Sequence, residues 1–168
     1  MSTPWWGTYN APSAKLAIEI LALKQIFSQT SKVAFNPLKD WDNVFSIITE
    51  DLQLVFDANQ GVYWNVSFAM IDITSQHERT VQDCNLKLVY PDNWGLWSNA
   101  EIYCVISKPP LSGSPHIHSE HKYGGTRIDL ITDIQSHNQL GLAAIYALAS
   151  VYWLRHWMYW KKNNIWPN

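Results

Sequence analysis

The sequence predicts an α+β domain, an antiparallel β-meander packed by an N-terminal and a long C-terminal helix. Three observations predict it. Residues 14–29 carry apolar side chains at helical spacing, residues 44–107 hold strand-like runs joined by short links, and residues 138–163 form a long apolar helical segment. The chain has 168 residues, one domain's length and enough to build a core without disulfide or metal staples. Residues 1–12 read as an irregular arm and residues 13–168 as the single domain.

Each element has a local cause. Ser13 is the expected N-cap of the first helix. Leu16, Ile20, Leu23 and Phe27 form its inward stripe, and Lys15, Glu19 and Gln25 are expected to face water. Asn36-Pro37 breaks any regular structure after the helix. Val44–Ile48 and Leu52–Phe56 are β-branched and aromatic runs, and Asn59-Gln60-Gly61 is a turn signal after the second. Val62–Ile73 is long and rich in β-formers, Asn85–Tyr90 alternates Leu86 and Leu88 against Lys87, and Ile102–Ser107 is the last run. Short links between consecutive strands favour antiparallel pairing. Pro109–Gly125, dense in proline, glycine, serine and histidine, reads as an irregular loop, where chemistry tends to sit. Leu140–Leu154 is apolar almost all round, but Arg155, His156, Lys161 and Lys162 interrupt it before it reaches the ~20 residues a membrane span needs. A buried C-terminal helix is expected.

Composition narrows the partners. Hydrophobic residues make up 47% of the chain, near the globular average, which excludes disorder for its bulk. The net charge is −2, so no nucleic-acid and no membrane partner is expected, because both demand a basic surface. Cys84 and Cys104 are too few for a disulfide framework or a four-cysteine zinc site and read as reduced thiols, at least one of them buried. Met1–Asn10 has no basic n-region and no apolar h-region, so the expected location is cytoplasmic. Ten tryptophans are several times the usual share. Five or six are expected as core or helix-packing residues, each indole N–H needing an acceptor. Trp5 and Trp6 either tuck over the core or mark a partner surface.

Common catalytic templates are absent. The chain has no G-x-G-x-x-G, no P-loop and no G-x-S-x-G elbow. The acidic pairs Asp40/Asp42 and Glu50/Asp51 sit at expected turns, as solvated charges. His116, His118 and His121, with Glu120 and His137, form a weak candidate metal cluster that matches no established zinc signature. No cofactor is expected.

Four features in chain order carry a resemblance. They are Pro91-Asp92-Asn93-Trp94-Gly95, Pro115-His116-Ile117-His118, Gly125-Thr126-Arg127-Ile128-Asp129-Leu130, and an aromatic tail of Trp157, Tyr159 and Trp160 with Trp166-Pro167 beyond it. Together they resemble the proline turn, the His-Pro-Asn element, the Gly-x-x-Cys-Leu turn and the Trp-Pro tail of divergent bacterial ubiquitin-conjugating enzyme (E2)-like proteins. The resemblance implies an E2-like (UBC-like) fold and two partners, a ubiquitin-like protein and an E1-like activating enzyme. It also implies a setting in antiphage defence. The departures are specific. Ile128 stands where the family's catalytic cysteine is expected. The asparagine that helps the oxyanion is missing, with Glu120 nearest.

That departure admits two readings. In the first, the chain is an E2-like carrier that forms an oxygen ester through Thr126 in place of a thioester. His118 or His116 then acts as base, with Asp129 or Glu120 to orient it, since a hydroxyl needs a base to become a nucleophile. In the second it is a pseudo-E2 adaptor that only binds. Trp94 and Trp97 would be contact anchors, and Ile128 would form part of the binding surface. A histidine-loop metal protein is the third and weakest reading.

Overall fold

The structure is a computed structural model, and it describes residues 5–7, 11–27, 45–57, 61–72, 81–91, 94, 102–121, 123–130 and 141–167. Helix α1 (Ala14–Phe27) is followed by strands β1 (Phe45–Asp57), β2 (Gly61–Asp72), β3 (Val81–Val89) and β4 (Tyr103–Lys108). Then come β5 (Ile117–His121), β6 (Gly125–Ile128) and helix α2 (Leu142–Asn163). The sheet order is β1-β2-β3-β4-β6-β5, with every neighbouring pair antiparallel. An α+β fold built on an antiparallel meander with a helix at each end is therefore what these residues form.

Alternation explains the layering. Val62, Trp64, Val66, Phe68 and Met70 of β2 are buried, as are Cys84, Leu86 and Leu88 of β3 and Cys104 and Ile106 of β4. They share one core with Leu16 and Leu23 of α1 and with Leu142, Ala143, Ala147, Val151 and Leu154 of α2. The small residues of α2 let it lie close to its neighbours. The intervening strand residues face the other way and many are polar. Asn85 Nδ2 donates to Asn65 Oδ1 (2.9 Å) and Ser67 Oγ (3.2 Å), and Ser107 Oγ donates to Asn85 Oδ1 (2.6 Å). These groups line a shallow depression of about 510 Å³ on the open face. No helix among the described residues is long and apolar enough to cross a membrane.

Three expectations need correction. The described part of the first run, 45–48, and the run at 52–56 belong to one strand, β1, whose register against β2 shifts between Thr49 and Asp51. The Glu50-Asp51 pair, expected at a turn, sits at a bulge, which adds a residue without ending the strand. The stretch 109–125 is not wholly irregular, because it contains β5 and the first residue of β6. Its strand β5 has a single apolar residue, Ile117, so periodicity gives no sign of it. Gly125 makes β6 possible, since a Cβ there would lie 2.7 Å from the Ile106 carbonyl oxygen on β4.

The third correction is Glu19, which is fully buried rather than facing water. Its Oε1 accepts the Ala143 N–H (2.9 Å) and the Tyr90 hydroxyl (3.2 Å), and Tyr90 in turn accepts the Trp64 indole N–H (2.9 Å). Gly141, the N-cap of α2, has φ 79° and supplies no side-chain cap, so Glu19 on α1 caps α2 instead. Burial raises the Glu19 pKa above the usual carboxylate value, against the lowering effect of those hydrogen bonds. Burial, and then the neighbouring Glu19, push Tyr90 well above its ordinary value.

Four of the described tryptophans lie in the core, and not every indole N–H among them is met. Trp64, Trp94, Trp153 and Trp157 are buried. Trp64 and Trp157 donate to protein acceptors, whereas the Nε1 atoms of Trp94 and Trp153 have no hydrogen-bond partner among the described residues. Of the two alternatives for the arm, tucking over the core is what occurs. Trp5 packs on Tyr90 and Trp94, at 4.9 and 4.6 Å between centroids, and Trp6 on Phe56 at 5.6 Å.

Candidate functional site

The histidine segment leaves β4 through a cis Lys108–Pro109 bond and is anchored before it becomes a strand. Leu111 is buried, and the Ser114 N–H bonds the Leu111 carbonyl at 2.9 Å. Ser114 Oγ accepts the Trp157 indole N–H from α2 at 2.8 Å, with both residues buried. The turn is thereby pinned to the helix. His116 then takes a left-handed conformation, φ 58°, uncommon for a residue with a side chain. Its carbonyl accepts the Asp129 N–H at 2.9 Å, just beyond the Ile117–Ile128 pair that closes β5 on β6.

The three histidines take three different partners. His118 Nε2 lies 3.4 Å from Asp129 Oδ1, with side chains 46% and 49% exposed. His116 packs its ring on Trp166 at 5.0 Å. His121 stacks on Tyr123, centroids 5.3 Å apart and planes 8° apart, and its Nδ1 accepts the Tyr123 N–H at 3.4 Å. Lys87 Nζ donates to the Tyr123 carbonyl, which fixes the turn between the strands. The described residues hold no group of three or more candidate metal ligands. His137 of the expected metal cluster lies outside the described residues.

The hydroxyl expected as nucleophile is elsewhere. Along β6, Thr126 and Ile128 alternate with Arg127. Ile128 belongs to the core at 3% exposure, and Thr126, on the same face, is 9% exposed. Arg127 lies over the Tyr103 ring, 4.4 Å from its centroid. Among the described residues no hydrogen bond joins Thr126 to His116, His118 or Asp129. Glu120 is opposite Thr126 in the strand register, with its side chain exposed. The structure thus brings the expected base and its orienting carboxylate together, and leaves the expected nucleophile apart from both. A histidine held by a carboxylate at the surface can accept a proton from a group that another molecule brings to it.

The other expected residues are also placed. Trp94 is fully buried beneath Trp5, and Lys15 Nζ stands 4.7 Å from its ring centroid. It is a packing residue, not a contact surface in this fold, and Trp5 is the ring on top of it. Ile128 likewise offers almost no surface. Trp97 lies outside the described residues. Cys84 and Cys104 are buried thiols on the central strands β3 and β4, on the core side of the sheet, away from the β5–β6 segment where the resemblance expects a cysteine. Sequence reasoning missed the role of Trp157 and Trp166 in holding the histidine segment. Their spacing in the tail is visible, but the partners Ser114 and His116 are distant in sequence. Comparison with protein-family models, with curated proteins and with solved structures gave no match to this chain.

Proposed function

We propose that this chain is an E2-like component of a cytoplasmic bacterial pathway that attaches a ubiquitin-like protein. In that pathway it engages the ubiquitin-like C-terminus, or the E1-like enzyme that presents it, without forming a bond to its own side chains. The observation that carries this adaptor reading is the burial of the β6 residues. Ile128, where the resemblance expects a cysteine, is in the core, and Thr126 is 9% exposed and apart from the His118–Asp129 pair. An acyl acceptor needs an open approach and a base within reach. The order of helix, meander, histidine segment and helix supports the E2-like part of the reading, and the antiphage setting rests on the sequence resemblance alone.

A specific observation favours the second reading, an oxygen ester on Thr126. His118 Nε2 lies 3.4 Å from Asp129 Oδ1, the pairing that a base and its orienting carboxylate would need beside a hydroxyl nucleophile. Intact-mass analysis separates the two. The chain is incubated with an E1-like enzyme, its ubiquitin-like protein and ATP, then split between reductant and mild hydroxide. The adaptor reading expects no mass increase and a measurable complex with a partner, unchanged by Thr126→Val. A mass increase that survives reductant, falls to hydroxide and disappears in Thr126→Val establishes the ester. Neither adduct nor complex, with active partners, removes both readings.

A further inference from the structure

The tail beyond α2 returns to the histidine segment. Asn164 adopts a left-handed conformation (φ 61°, ψ 21°), and its N–H bonds the Trp160 carbonyl at 2.6 Å. This is a helix stop of the αL type, and it sends the chain back along the helix. Ile165 points outward at 67% exposure. Trp166 seats its ring against Trp153 (5.2 Å), His156 (5.8 Å) and His116 (5.0 Å).

We infer that Trp166 is a positioning residue for the His118–Asp129 pair, acting through His116. A left-handed conformation disfavours any residue with a Cβ, so His116 holds φ 58° only while contacts compensate. Two contacts do so, the ring of Trp166 on its side chain and the Asp129 N–H on its carbonyl. The second fixes the backbone of the residue whose carboxylate meets His118. An exposed contact between polar side chains contributes little of its own, so this half-exposed pair depends on its backbone frame. Without the Trp166 ring, His116 relaxes to negative φ and its carbonyl turns away from the Asp129 N–H. His118 and Asp129 then separate. The consequence for conjugation rests on the proposed function, whereas the effect on the pair does not.

Hydrogen exchange of the Asp129 amide tests this on the full chain with no partner present, so failure here and failure of the proposed function are distinct. Trp166→Ala is expected to speed Asp129 exchange at least tenfold and to shift the His118 imidazole 15N resonances. The core amides of Val66 and Leu86 should keep their rates. Trp166→Phe, which keeps an aromatic ring, should retain most of the protection. Adding His116→Gly to Trp166→Ala should restore it, because glycine reaches positive φ without help. Unchanged Asp129 exchange in Trp166→Ala overturns the inference. So does a loss shared equally by Val66 and Leu86, or one that His116→Gly fails to recover.

Discussion

Glu19 is the residue whose chemistry differs most from its sequence context. A glutamate on an amphipathic helix ordinarily points to water, yet here it is fully buried and accepts hydrogen bonds from Tyr90 and from the first turn of α2. Its pKa is raised in the fold, so the folded state holds the proton more tightly than the unfolded chain. The stability that this proton contributes is fully present below the unfolded carboxylate value and is lost as pH rises through the folded value. Glu19→Gln keeps an acceptor for Ala143 and Tyr90 and removes the titration. Its stability relative to the parent should therefore improve as pH rises from acid to neutral, read as urea midpoints at each pH. A constant difference across that range would contradict the raised value. Glu19→Ala removes the cap of α2 together with the Tyr90 acceptor and is expected to cost about 2–4 kcal/mol in acid, less as pH rises and the parent loses the contribution of its buried proton.

The helices and the central strands are readable from sequence because each carries a strong period. Leu16 and Leu23 on α1, and the alternation of Leu86 and Leu88 against Lys87 on β3, report their own burial. Strands β5 and β6 do not. Ile117 alone marks β5 as apolar, and β6 exists because Gly125 lets it approach Ile106. The bulge in β1 is hidden for a related reason, since Glu50-Asp51 looks like a turn when only polarity is read. For the histidine segment the sequence names the residues but not their partners, because Ser114 and Trp157 are brought together only by α2 packing. That bond is a test of the pinning. Trp157→Phe leaves the Ser114 hydroxyl without its donor, and Ser114→Ala leaves the indole N–H unmet. Each should cost about 1–2 kcal/mol in urea denaturation. The double variant should cost measurably less than the sum, since the second change removes a group already orphaned by the first. Full additivity would mean that the two residues stabilise the fold independently.

Among the described residues the sheet has one face committed to the shared core and another that is largely polar and only partly buried. The shared core lies on the helix side, from Trp64 and Leu88 on the strands to Leu154 on α2. The open side carries Gln53, Asn65, Ser67, Asn85 and Ser107, joined in part by side-chain hydrogen bonds. The histidine strand β5 is the edge of the sheet, with β6 between it and β4, and α2 and its tail reach the segment leading into it through Trp157 and Trp166. This division makes substitutions strongly asymmetric across the sheet. Leu154→Ala removes a fully buried side chain from between helix and sheet and is expected to cost about 2–5 kcal/mol. Gln53→Thr, on the exposed side of β1, exchanges one polar strand residue for a better β-former and should change stability by less than about 0.5 kcal/mol. Urea unfolding of the two variants measures the contrast directly. Comparable losses would mean that the open face is covered in solution, by a second copy or another part of the chain. The depression of about 510 Å³ would then be an interface rather than a solvent-facing surface.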